Sequence, residues 1–198
     1  MKIALEDITL SVKGTVSDSM SDQEFFDFCQ DNDALRIERD ENKQIIIMAP
    51  TNMDTGRQNS DLATDLAIWN RKEKKGVCFD SSTGFTLPDG SVRSPDVSWM
   101  ANEKANNVPK EEKKKFARIC PDFVIELKSP SDNLKYLTTK MHKWIKNGCA
   151  LAWLINPENK TAFIFRKDGT SDEIKGFHNK LSGEDVLPGF ELDLSILL

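Results

Sequence analysis

The sequence predicts a mixed α/β fold, and three observations carry that prediction. Short β-prone runs alternate with two long helical patterns; residues 123–127 form an apolar run of the kind that fills a buried strand; and polar turns separate the pieces. No internal repeat, low-complexity tract or interdomain linker is visible, so residues 1–198 are expected to form a single domain.

Each element has its own signal. Ser21-Asp22-Gln23-Glu24 has the form of a capping box, opening a short helix with Phe25, Phe28 and Cys29 on one face. Residues 35–38 and 44–48 read as strands joined by the polar turn Asp40-Glu41-Asn42-Lys43. From about 55 to 72 a helix is expected, because Leu62, Leu66 and Trp69 recur at helical spacing. Strands follow at 77–79, 84–87 and 96–100, with Asp89-Gly90 turning between the last two. Residues 102–117 are charged and lack an apolar period, which reads as an insertion with a short helix.

After the strand at 123–127, Ser129-Pro130-Ser131-Asp132 predicts a helix start, with Ser129 as cap and Pro130 at the first position. Leu134, Leu137, Met141, Trp144 and Ile145 form its apolar stripe, and Asn147-Gly148 ends it. Residues 150–155 and 161–166 are strands around Asn156-Pro157, and 172–175 a further one.

Composition narrows the function classes. The chain is 38% hydrophobic and 30% charged, as expected of a folded, water-soluble protein. Its longest apolar run, 149–155, is too short to cross a bilayer, and residues 1–7 carry acids where a signal peptide has none, so a cytoplasmic location is expected. Cys29, Cys78, Cys120 and Cys149 lie far apart and form no paired-ligand spacing; they read as reduced thiols. With only His142 and His178 present, histidine-based metal clusters and triads are unattractive, and no glycine-rich phosphate loop occurs. The net charge of −5 argues against a general nucleic-acid coat; the basic runs at 71–75 and 110–118 read mainly as solvated charge.

Glu126 is the informative residue. A carboxylate inside an apolar strand is costly unless a cation, a proton or an opposite charge compensates it. Side chains alternate along a strand, which places Val124, Glu126 and Lys128 on one face and Phe123, Ile125 and Leu127 on the other. A strand-end ion pair between Glu126 and Lys128 is the simplest reading. Arg93-Ser94-Pro95-Asp96 offers another, because a second strand starting at Asp96 could set that carboxylate beside Glu126 on one divalent ion. Asp122, also preceded by a proline, shares the face of Glu126. Four residues at ~3.3 Å rise put the two roughly 13 Å apart along the strand, too far for one ion.

Pro95-Asp96 and Glu126-Leu127-Lys128 together resemble the motif of the PD-(D/E)XK nuclease superfamily. The likeness extends to the strings at 36–52, 55–70, 93–100, 123–132 and 143–157, which occur in the order seen in the Uma-type family of restriction-endonuclease-like proteins. Two departures stand out: the family suggests His where Asn59 stands and a further aromatic near Trp144. The resemblance implies a restriction-endonuclease-like mixed sheet flanked by helices, and an endonuclease hydrolysing DNA with Mg²⁺ or Mn²⁺. It assigns Asp96 and Glu126, with the Leu127 carbonyl, to the metal; Lys128 to orienting water and stabilising charge; and Glu38 to a further metal or water contact. Cutting both strands of a duplex would call for a homodimer.

Lys140, at the edge of its helical stripe, and Asn59, Asp61 and Asp65, on the preceding helix, are weaker candidates, and the four tryptophans read as core. A nuclease-fold binding or regulatory module, or a nuclease acting on RNA, remains the alternative.

Overall fold

A computed structural model describes residues 20–198 of the chain. Residues 1–7, on which the expected absence of a leader rests, lie outside that range.

Helix α1 (Asp22–Asp31) starts at the expected capping box, with the Ser21 and Glu24 side chains each bonding the other's backbone. Strands β1 (Arg36–Arg39) and β2 (Ile45–Met48) form an antiparallel hairpin. Helix α2 (Met53–Glu73) follows, capped by Asn52, and buries Leu62, Leu66 and Trp69. Next come β3 (Gly76–Phe79), the short pair β4 (Phe85–Thr86) and β5 (Val92–Arg93), and β6 (Val97–Ala101). The insertion holds helix α3 (Asn102–Asn107) and one 3₁₀ turn. Strand β7 (Phe123–Leu127), helix α4 (Leu134–Lys146) and β8 (Leu151–Asn156) form a β-α-β unit with parallel strands. Strands β9 (Thr161–Arg166) and β10 (Ser171–Lys175) continue the sheet, β11 (Lys180–Ser182) pairs with β12 (Glu191–Asp193), and a 3₁₀ turn (Leu194–Leu197) follows.

The central sheet is mixed and six-stranded, ordered β10-β9-β8-β7-β6-β3, and a four-stranded sheet β2-β1-β5-β4 stands beside it. Strand β7 lies mid-sheet, and its alternation sorts the core as expected. Phe123, Ile125 and Leu127 pack with Trp69, Trp153 and the C-terminal segment, whereas Val124 packs with Met141 and Trp144 of α4. Among the described residues no helix is long and apolar enough to cross a membrane.

Four details depart from the sequence reading. Helix α4 is capped by Asn133, whose side chain accepts from the Tyr136 N–H, instead of Ser129. Ser129 and Asp132 bond each other in the turn before it, so Pro130 belongs to a turn and not to a first helical turn. Asp89-Gly90 turns into the unforeseen strand β5, and the apolar stretches therefore divide between two sheets. The C-terminal segment, for which the sequence offered no element, supplies Phe177, Leu181, Leu187 and Phe190 to the main core.

Candidate active site

The register of β6 against β7 decides the first contact. Val97 faces Ile125 and Ser98 faces Val124, so the next step outward sets Asp96 opposite Glu126. The Asp96 carboxylate is anchored there: Oδ2 accepts the Leu127 N–H at 2.8 Å, and Oδ1 lies 3.6 Å from the Arg36 guanidinium. Asp122 is elsewhere, accepting from the Ala101 N–H at 2.9 Å and from Lys104 at 2.8 Å.

Glu126 points to the face covered by α4 and is only 4% exposed. Its Oε1 takes two donors from that helix, the Lys140 ammonium and the Trp144 indole N–H, both at 2.9 Å. Lys140 and Trp144 are four residues apart and so share a helix face. Lys140 also reaches Glu38 Oε1 at 3.2 Å. Glu38, from β1, is in turn held by Arg93 at 3.0 Å and by the Ser94 N–H at 2.9 Å. Two carboxylates from different sheets thus converge on one lysine.

Burial and neighbouring charge set the protonation states. Burial pushes the Glu126 carboxyl up to about 7; Lys140 opposes the rise, and the negative charges of Asp96 and Glu38 add to it. Burial also raises Asp96, against the Leu127 N–H bond that lowers it. For Glu38 burial is outweighed by Lys140 and Arg93, and its carboxyl lies below the usual range. Burial would lower Lys140, but Glu126 and Glu38 more than reverse this and keep it charged.

Lys128 is not where strand alternation predicts. Its ammonium bonds the Ser129 carbonyl at 3.1 Å and Glu158 at 3.2 Å, in the turn after β8. Strand β7 ends at Leu127, and the space above Glu126 is filled by Lys140 and Trp144. The expected Glu126–Lys128 proximity is therefore replaced by a Glu126–Lys140 pair. Glu38 is brought in, but its oxygens are taken up by Arg93, Ser94 and Lys140, which suits the anchoring of Lys140 better than ion binding. Trp144, read from sequence as core, is both core and donor to Glu126. A buried indole whose N–H needs a partner, one helical turn from a lysine, was the available signal.

Glu38, Asp96, Glu126 and Lys140 form the floor of a cleft of about 570 Å³, walled by β2, the turn at residues 129–132 and the start of α4. Asn59 of α2 lines it too, with its Oδ1 buried and without a partner among the described residues. Asp61 pairs instead with Arg57 at 2.8 Å, and Asp65 neighbours Asp61 and Asp193. Neither lines the cleft.

A divalent cation is testable against the donor set. Asp96 and Glu126 are hard oxygen donors set opposite each other, and their mutual repulsion is part of what raises Glu126. Among the described residues no group of three or more His, Cys, Asp or Glu stands ready to hold an ion. A two-carboxylate site fits Mg²⁺, which keeps several waters and commonly takes one or two protein carboxylates.

Comparison with known proteins agrees with this architecture. A solved structure described as "a putative nuclease belonging to DUF820" from Anabaena variabilis superposes with a TM-score of 0.69 at 21% identity, covering 81% of this chain and 88% of that one. No curated protein matched the sequence. The model of the Uma2 family, described as "Putative restriction endonuclease", matches residues 22–195, and the chain therefore belongs to that family.

Proposed function

We propose that the protein hydrolyses phosphodiester bonds of DNA in a reaction that requires Mg²⁺ or Mn²⁺. The observation that carries this reading is the convergence of Asp96, Glu126 and the Lys140 ammonium on the floor of one cleft. Asp96 and Glu126 would hold the cation, which when bound polarises a phosphate oxygen and acidifies water.

The chain's own groups do the remaining work. Lys140, 8% exposed and locked between two carboxylates, presents a fixed positive charge where negative charge grows on the phosphorane. Glu38, itself anchored by Arg93, holds Lys140 in place, and Trp144 holds the Glu126 carboxylate. The Leu127 N–H does the same for Asp96. In the reaction a water oxygen bonds to phosphorus, the bond from phosphorus to the 3′ oxygen breaks, and a proton passes to the leaving oxygen. The products are a 3′-hydroxyl and a 5′-phosphate.

The test is cleavage of labelled DNA oligonucleotides with Mg²⁺ or Mn²⁺, repeated on Asp96→Asn. Cleavage by the wild type that EDTA and Asp96→Asn both abolish is the expected outcome. Equal cleavage by Asp96→Asn would refute the assignment.

A further inference from the structure

The walls of the cleft differ from its floor. Strand β2, at the edge of its sheet, reads Ile-Ile-Ile-Met and is only partly buried. Its Ile46 and Met48 line one wall, and Tyr136 lines another. Tyr136 is 51% exposed, so that its ring is open to the cleft. The charges lining the cleft are two cations, Arg36 and Lys140, against four acids, Glu38, Asp96, Glu126 and Asp132.

Proteins that grip a duplex do so with arrays of cations along its phosphates, commonly about 6–10 contacts. This cleft has no such array among its described residues, and the runs at 71–75 and 110–118 do not line it. Its volume falls in the range of small-ligand pockets, roughly 300–1,000 Å³, room for a nucleotide or two of one strand. The reacting groups lie buried at the bottom, so a scissile phosphate must enter with its strand. Unpaired strands are held in part by stacking of their bases on aromatic side chains, which every base can make, and here an exposed tyrosine shares the cleft with an apolar wall.

Building on the phosphodiesterase reading, we propose that the substrate is an unpaired nucleic-acid strand, with a base next to the scissile phosphate stacked on Tyr136 against Ile46 and Met48. One chain is enough for such a substrate, and the dimer expected for cutting both strands of a duplex is not required.

The experiment measures binding to Asp96→Asn, which does not cut but keeps an acceptor for the Leu127 N–H. Fluorescence anisotropy is recorded with a labelled single-stranded DNA, its duplex, an RNA of the same sequence, and an abasic oligomer of equal length. Single strands should bind about 10- to 100-fold more tightly than the duplex or the abasic oligomer, the range that stacking supports. Adding Tyr136→Ala should bring the single strand to the abasic level and leave the abasic oligomer unchanged, whereas Tyr136→Phe should stay within about threefold of the parent. Preference for RNA over DNA would support the unpaired strand and name its chemistry. Duplex binding as tight as single-strand binding, or no effect of Tyr136→Ala, would overturn the inference. Wild-type cleavage separates the two levels: cutting of duplex alone overturns this inference and leaves the phosphodiesterase reading, while cutting of no nucleic acid removes both.

Discussion

Replacing Lys140 by Met keeps most of the length of the side chain and deletes its charge. Two buried carboxylates lose their shared partner, at 2.9 Å and 3.2 Å. Breaking a buried pair in this way costs about 3–5 kcal/mol. The low end is expected here, because Glu38 keeps Arg93 and the Ser94 N–H. The loss should depend on pH. Lys140 is the main influence lowering the Glu126 carboxyl, which with it lies at about 7 and without it lies higher. Below about 7 Glu126 is neutral in both folded proteins, so the difference comes from Glu38 alone. Above that, wild-type Glu126 ionises against Lys140, whereas in the variant it stays protonated while the unfolded chain has ionised, and the deficit widens as pH rises.

Lys128→Met is the control. Its partner Glu158 is 65% exposed, and such a pair is worth at most about 1 kcal/mol. Urea denaturation at pH 6 and pH 8.5 gives the stabilities, and single-turnover cleavage with Mg²⁺ gives the rates. Lys140→Met should lower the rate by about 10²–10³, and Lys128→Met should leave it within a fewfold of wild type. A rate lost in Lys128→Met and kept in Lys140→Met would refute the assignment of the lysine.

Three further outcomes follow from the same geometry. Asp122→Ala should retain cleavage and lose about 1–2 kcal/mol in denaturant, since the Asp122 side chain bonds the Ala101 N–H and Lys104; cleavage abolished there and kept in Asp96→Asn would reverse the two Pro-Asp assignments. Trp144→Phe removes one donor from Glu126 while filling most of the same space, and calorimetry should show weakened Mn²⁺ binding that Trp144→Ala weakens further. Mn²⁺ affinity should rise with pH up to about 7 and level off above it, because Glu126 must lose its proton to bind a cation; an affinity flat from pH 5 to 8 would take Glu126 out of the proposed metal site.

What the sequence by itself determined is what short-range rules govern. The alternation in β7 placed Glu126 with Val124, the capping box placed α1, and the repeat of Leu62, Leu66 and Trp69 placed the buried face of α2. The choice of Asp96 over Asp122 as the neighbour of Glu126 also needed only strand geometry, because two residues four apart along one strand cannot meet. The partners of Glu126 on its open side were decided by tertiary structure alone. Alternation names the face on which Lys128 begins, but a four-carbon stem at the end of a strand goes where space and charge allow, and Glu158 offers both. Lys140 and Trp144 reach Glu126 only because the connection between two parallel strands lays α4 across that face of the sheet. Glu38 arrives from a second sheet, whose strands the sequence did not separate from the first. Local sequence sets which side of an element a group leaves from; the packing of elements far apart in the chain sets what it meets there.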